Sequence, residues 1–244
     1  MIRIKTHYSL LQSTIKPDEL VKAAKKLRYD TLALCDTHTI SGAVSFFKAC
    51  KKEGLRAILG AEIAVINSDK NFYTLTLLCR NHSGWLKLLK IVSKSNEEGS
   101  YKGHPSIDIE DLRKISAGND FIAIDGYVGS LLYEKMFEHP RDAYFVEDYD
   151  SAAACLSRRW QDFAVAHVAQ MRMIFGDNYY LETSKIETPP FALTSNCVTE
   201  IASMVGCEMT QGDAAHYLSH PEDHRLLLSV KTQTTLPKLE ETLR

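Results

Sequence analysis

Residues 31–66 read TLALCDTHTISGAVSFFKACKKEGLRAILGAEIAVI. Thr31–Cys35 is a short apolar run of the length of a buried strand. Ser41–Lys52 changes period: Val44, Phe47 and Ala49 form an inward stripe, and Gly54 supplies the stop. Ala57–Ile66 is apolar again except for Glu62. Strand, helix, strand in that order is a β-α-β unit, and a chain that repeats it builds a parallel sheet buried on both faces.

The alternation continues in both directions. Upstream, Ile2–Thr6 is a candidate strand. Pro17-Asp18-Glu19 opens a helix whose stripe is Leu20, Val21, Ala24 and Leu27 and whose close is Lys25, Lys26 and Arg28. Downstream come a strand at Phe72–Cys79 and a helix capped by Ser83 and running to Ser95, with Trp85, Leu88, Leu89 and Val92 apolar. Tyr101–Ile107 reads as loop, Ile109–Ile115 as a short helix, Phe121–Ile124 as strand and Gly129–Met136 as helix. Glu138–Asp150 is acidic and aromatic and fits neither period. Ser151–Phe175 reads as one long helix or two, Tyr179–Glu182 as strand, Asn196–Val205 as helix, Cys207–Thr210 as strand and Pro221–Val230 as a last helix. Seven strands, each followed by helical material, predict an α/β fold closed or nearly closed into a barrel. The working residues of such a barrel sit at the C-terminal strand ends.

Length allows one large domain over residues 1–244 or two small ones. The 244 residues are 45% hydrophobic and 25% charged, enough to bury about 70% of the unfolded surface without a disulfide or metal staple. A net charge of −2 excludes a nucleic-acid binder driven by overall charge, while leaving room for a local basic surface. None of the six cysteines forms a C-x-x-C pair, which excludes a zinc ribbon and points to free thiols in a reducing, cytoplasmic compartment. The start, MIRIKTHYSLL, lacks the apolar core of a signal peptide, and no apolar run approaches ~18 residues, so no membrane span is expected.

The strand ends carry acids and histidines. Thr6-His7-Tyr8-Ser9 follows the first strand, Asp36-Thr37-His38 the second, Glu62 lies within the third, and Asp213-Ala214-Ala215-His216 follows the last. Such a recurrence is how a metal site for phosphoester hydrolysis would be built. Each residue also has a structural reading. Asp36 and Asp213 suit caps or turns, His38 a loop, and His216 a satisfied core histidine. Glu62 is harder to set aside, because a glutamate in an apolar strand needs a partner. His167, inside the long helix, reads as surface or interhelical packing, and the lysine pairs 25–26 and 51–52 as solvated helix ends.

Several runs resemble the opening of bacterial replicative DNA polymerase III alpha subunits. They are Tyr8-Ser9-Leu10-Leu11, Asp18-Glu19-Leu20-Val21-Lys22-Ala23-Ala24, Leu32–Asp36, Ser41–Val44, Phe47–Lys51, Ile58–Glu62, Ile174–Asp177 with Tyr180-Leu181-Glu182, and His216-Tyr217-Leu218 with Pro221-Glu222-Asp223. They follow the family's order over essentially the whole chain. The matching part of that family is its PHP (polymerase and histidinol phosphatase) domain. The resemblance implies a distorted seven-stranded β/α barrel, TIM-barrel-like, with a metal cluster and phosphoesterase activity in active relatives, and a scaffold role where the site has decayed. The polymerase carboxylates lie outside this stretch, so the chain is expected to be part of a longer or split polymerase.

Aligned on Tyr8-Ser9, the family's first-strand histidines fall on Arg3 and Lys5, and the next aspartate on Gln12. Asp36 and Glu62 are kept. The histidine after the aspartate falls on Thr37, with His38 one place late; the fourth-strand histidine falls on Thr74, the ligand after the fifth strand near Tyr127, and the last Asp-x-His is stretched to Asp213…His216. Arg and Lys offer a cation no lone pair and repel it. The resemblance therefore implies a vestigial cleft of Arg3, Lys5, Asp36, Glu62, Asp213 and His216. In it Arg3 or Lys5 replaces metal charge by pairing with Glu62 or Asp213, phosphoesterase activity is weak or absent, and no cofactor is held. The opposing expectation is a reduced site of His7, His38, Glu62, Asp213 and His216 holding one zinc or manganese ion. Implied partners are the palm and thumb modules, in the same chain or a split subunit, a proofreading exonuclease subunit, and DNA through the full polymerase. A metal-dependent exonuclease or phosphatase, and a standalone binding protein, are the alternatives.

Overall fold

The computed structural model describes residues 3–67, 72–97, 105–139, 143, 146, 148–212, 214 and 218. The expected helix Pro221–Val230 lies outside them. The chain forms two compact units, residues 1–61 with 214–244, and residues 62–213.

In the first unit, α1 (Pro17–Lys26) starts on a proline, carries Asp18 and Glu19 in its first turn and Lys25 and Lys26 in its last, as its dipole favours. Its stripe is Leu20, Val21 and Ala24; Leu27 falls at the C-cap and is 70% exposed. β1 (Thr31–Thr37) is hydrogen-bonded to the adjoining strand β2 (Arg56–Ile66), whose first six residues belong to this unit. The expected strand Ile2–Thr6 contracts to a single parallel bridge, Ile4 to Leu34: Ile4 N–H donates to Ala33 and its carbonyl accepts from Cys35. α2 (Ala43–Glu53) ends on Gly54 at φ 75°, as its terminal glycine predicts. Its buried face is Ala43, Phe46, Ala49 and Cys50, while Val44 and Phe47 are exposed. The expected stripe is turned because the i, i+3, i+7 row that starts at Ala43 brings Phe46, not Phe47, onto the face of Ala49 and Cys50.

In the second unit the strands are ordered β2, β3 (Phe72–Cys79), β5 (Phe121–Asp125), β6 (Tyr179–Thr183) and β7 (Met209–Gln211). A two-residue strand, β4 (Ile107–Asp108), lies parallel to the end of β2, where a loop was expected. β5, β6 and β7 pair in parallel, but β3 runs antiparallel to β5. The sheet is thus not wholly parallel. Residues 67–71 joining β2 to β3 are too few for the crossover of a dozen or more residues that parallel neighbours need.

The helices follow the strands. α3 (His82–Glu97) is capped by Asn81, whose side chain accepts from Gly84 N–H at 2.9 Å. The expected cap, Ser83, bonds Asp120 instead. α4 (Ile109–Ser116) is capped by Asp108, and α5 (Leu131–Met136) by Ser130. The long helical stretch is two helices, α6 (Tyr149–Ala154) and α7 (Trp160–Phe175). α8 (Pro189–Val205) begins earlier than its apolar pattern suggested, because Pro189 and Pro190 suit its first turn. Among the described residues, seven strands with helices after most of them make the α/β architecture that the periodicity predicts, although β3 follows β2 directly in the element order.

Candidate functional site

The end of β1 in the first unit gathers the short polar segments. Asp36 is fully buried. Its Oδ1 accepts from Thr6 N–H at 2.6 Å and Ser9 Oγ at 2.7 Å, and its Oδ2 from Thr6 Oγ1 at 2.8 Å. Ser9 Oγ accepts in turn from Thr37 N–H at 3.0 Å. Asp36 therefore clamps the Thr6–Ser9 turn onto β1. Gly42 keeps this packing possible: a Cβ there would stand 2.7 Å from Asp36 Oδ2.

Beside the clamp lies a second cluster. Lys5 is buried and donates from Nζ to Thr37 Oγ1 and to Gln12 Oε1, the latter at 3.4 Å. Thr37 Oγ1 donates to Gln12 Oε1 at 2.8 Å. The loop is held from behind by Ser13 Oγ, which donates to the Lys5 carbonyl at 2.7 Å. Arg3 is also buried. His7 is exposed, and its Nδ1–H donates to the Ile15 carbonyl at 3.2 Å. His38 sits just past β1 with φ 58°, a left-handed conformation that histidine tolerates better than most residues.

In the second unit Glu62 is buried within β2. Thr74 donates from Oγ1 to the Gly129 carbonyl at 2.8 Å, and Thr76 and Tyr127 share a hydroxyl–hydroxyl bond of 3.2 Å. The resemblance puts the family's fourth-strand ligand at Thr74 and the ligand after the fifth strand near Tyr127; here the hydroxyls of Thr74, Thr76 and Tyr127 join β3 to the turn before α5. Asp213 and His216 lie outside the described residues.

The second unit also holds a buried polar centre that the sequence reading passed over. Asp125, at the end of β5, has no exposed surface. Its Oδ2 lies 2.9 Å from His167 Nε2 and 2.8 Å from the Tyr179 hydroxyl, and its Oδ1 accepts from Gly126 N–H at 2.7 Å and Leu132 N–H at 2.9 Å. Burial pushes this carboxyl up, but the bond and charge of His167, with Ser130 and the Leu132 N–H, outweigh it and hold it below the ordinary range. The same pair of effects, burial first and then the Asp125 charge, raises Tyr179 well above its usual value. His167 lines a cleft of ≈ 320 Å³ with Tyr73, Lys135 and Gln170. A signal was available: Ala164, His167, Val168, Met171 and Ile174 share one helical row, and the structure buries all five.

The cysteines are free. Burial pushes the thiols of Cys79 and Cys197 up to about 12 and those of Cys50 and Cys207 up to about 11, so these four are neutral near pH 7. Among the described residues no helix is long and apolar enough to cross a membrane.

Comparison with known proteins matches this arrangement to one family. The family pattern of the PHP domain fits residues 2–186. DNA polymerase III subunit alpha of Borreliella burgdorferi is 27% identical over 231 residues, covering 91% of this chain and 18% of that protein. The Aquifex aeolicus subunit is 27% identical over 98% of this chain and 20% of its own length, and the Bacillus subtilis subunit 35% identical over 58% and 13%. The chain thus spans about a fifth of the first of these relatives. A crystal structure described as a metal-dependent phosphoesterase of Bifidobacterium adolescentis shares the fold, with a TM-score of 0.52 at 15% identity over 86% of this chain and 85% of that one. With the family pattern fitted over most of its length, on an α/β frame of seven strands, the chain belongs to the PHP domain family.

Proposed function

We propose that this chain is the PHP domain of a DNA polymerase III alpha-like replicative protein, and that it acts there as a structural and docking module and not as a hydrolase. The observation that carries the reading is the bonding of Lys5. By the resemblance, Lys5, Gln12 and Thr37 stand at three ligand positions of active relatives. Here they bond one another through the Lys5 ammonium. That ammonium repels a divalent ion and offers it no lone pair. Asp36 supports the same reading, since both its oxygens are engaged by Thr6 and Ser9. These residues do not fit a metal ion. The resemblance counts Arg3, Glu62, Asp213 and His216 among the same vestigial positions, and this proposal needs neither zinc nor manganese.

The docking role is proposed from the resemblance to polymerase III alpha subunits: the palm and thumb modules, in the same chain or in a split subunit, and a proofreading exonuclease are the partners of this reading, and DNA is reached through the assembled polymerase.

Metal content tests the proposal. After exposure to zinc and manganese, elemental mass spectrometry of the purified protein should find less than about 0.1 equivalent of either. One or more tightly held ions per chain would instead support the reduced site of His7, His38, Glu62, Asp213 and His216, and with it a phosphoesterase. In parallel, Lys5→Met removes the ammonium and keeps the stem. Its melting temperature should fall by the equivalent of about 1–3 kcal/mol, as charge-assisted hydrogen bonds are lost. An unchanged melting temperature would count against charge replacement.

A further inference from the structure

Charge is unevenly divided along the chain. Residues 1–61 hold eleven Lys and Arg against five Asp and Glu, a net +6, whereas residues 62–213 hold fourteen against twenty-two, a net −8. Part of the positive excess is concentrated on two packed helices of the first unit. Lys22, Lys25 and Lys26 lie on α1 at i, i+3 and i+4 spacing, and Lys48, Lys51 and Lys52 repeat the spacing i, i+3, i+4 on α2; all six are exposed. Lys22, Lys25 and Lys26 line a shallow hollow of ≈ 310 Å³ with Glu53. Lys25 bonds Glu53 at 2.8 Å and, with Lys52 and Lys22, holds its carboxyl below the ordinary range. Among the described residues, Glu53 is the one carboxylate within ion-pair distance of any of the six.

Helix-end stabilisation accounts for only part of this surface. Lys25, Lys26, Lys51 and Lys52 complement the last turns of their helices, but Lys22 and Lys48 stand a turn earlier, where the dipole offers little. The pairs Lys22/Lys26 and Lys48/Lys52 are like charges at i, i+4 and repel. A polyanion with regularly spaced charges relieves that repulsion, and lysine rows one helical turn apart, ~5.4 Å, with flexible stems suit it. The six positions on α1 and α2 are lysine and not arginine, so they offer point charges without the planar fork that reads base edges.

We propose that the α1–α2 lysine face binds a nucleic-acid phosphate backbone without reading its sequence. Neither Lys5 nor Asp36 lines this hollow, and the proposal does not depend on whether the chain binds metal.

The test is fluorescence anisotropy of the full 244-residue chain with fluorescein-labelled dT20 between 50 and 200 mM NaCl. With about four phosphates engaged, log K should fall with log salt at a slope near −2.8, roughly a 50-fold loss of affinity across that range. The triple variant Lys22→Gln, Lys26→Gln, Lys52→Gln should lower affinity roughly tenfold or more at 50 mM and flatten the slope by about 2. The control pair Lys90→Gln, Lys114→Gln, on α3 and α4, should match the parent, with circular dichroism melts verifying that both variants are folded. No binding at 50 mM, equal losses in both variants, or a triple variant with the parent's slope would overturn the proposal. Competition by polyglutamate as effective, charge for charge, as unlabelled dT20 would also overturn it, by assigning the face to an acidic protein.

Discussion

Asp125 is the residue on which the second unit turns. A carboxylate with no exposed surface is costly unless each oxygen is satisfied, and here four donors converge on it. Its folded pKa is depressed, so its contribution is fully present above the ordinary carboxylate pKa near 3.9 and is lost as pH falls through the lower folded value. Asp125→Asn keeps the shape but sets an amide N–H₂ against donors. It should cost about 1–3 kcal/mol or more at pH 7, the range for leaving buried donors without their acceptor. In urea melts the gap between variant and parent should narrow as pH falls below about 4, where the Asp125 contribution is lost. A gap that widens below about pH 4 would contradict this account. The sequence hid the centre because Asp125 ends a strand, where a cap or turn is the ordinary reading. Its partner His167 lies 42 residues on. Period alone puts His167 on a buried row, but only the fold brings that row over the end of β5.

Among the elements, α3 shows a competition between local propensity and packing. Replacing a helical glycine by alanine normally gains about 1 kcal/mol. At Gly84 a Cβ would stand 2.3 Å from the Asp120 carbonyl oxygen, a backbone atom with no rotamer to relieve it. Gly84→Ala should therefore destabilise the protein, by about 1–3 kcal/mol on the scale of overpacking, measured by thermal or urea unfolding. A stabilised variant would mean that α3 shifts freely against the loop before β5. The same element illustrates what pattern can and cannot show. The helix itself was legible from its apolar spacing. Its cap was not, since Asn81 and Ser83 are both good capping types and the choice depends on where Asp120 lies. On α2 the exposed Phe47 and buried Phe46 are adjacent, so a one-residue error in the start of the helix exchanges them.

For the molecule as a whole, the cysteines give a direct check on packing. At pH 8 the four thiols raised to about 11–12 should react slowly with a disulfide reagent in the native protein. All six should titrate after unfolding, so a native chain that yields six thiols in one fast phase would contradict this packing.

The alternation of strand and helix, and with it the α/β class and the family, was determined by the sequence alone. Both rest on local periodicity and on runs such as Leu32–Asp36 and Ile58–Glu62, which need no knowledge of distant residues. The positions of Asp36 at the end of a strand and of Glu62 within one were legible for the same reason. Only the tertiary structure decided that β3 runs against β5, that Asp36 is spent on Thr6 and Ser9, that Lys5 bonds Gln12 and Thr37, and that Asp125 meets His167 and Tyr179. All of these except the Lys5–Gln12 bond join residues far apart in the chain. Hydrogen bonds and charge pairs act over a few ångströms, so their partners are set by where the backbone brings each side chain, not by the residue types along the sequence.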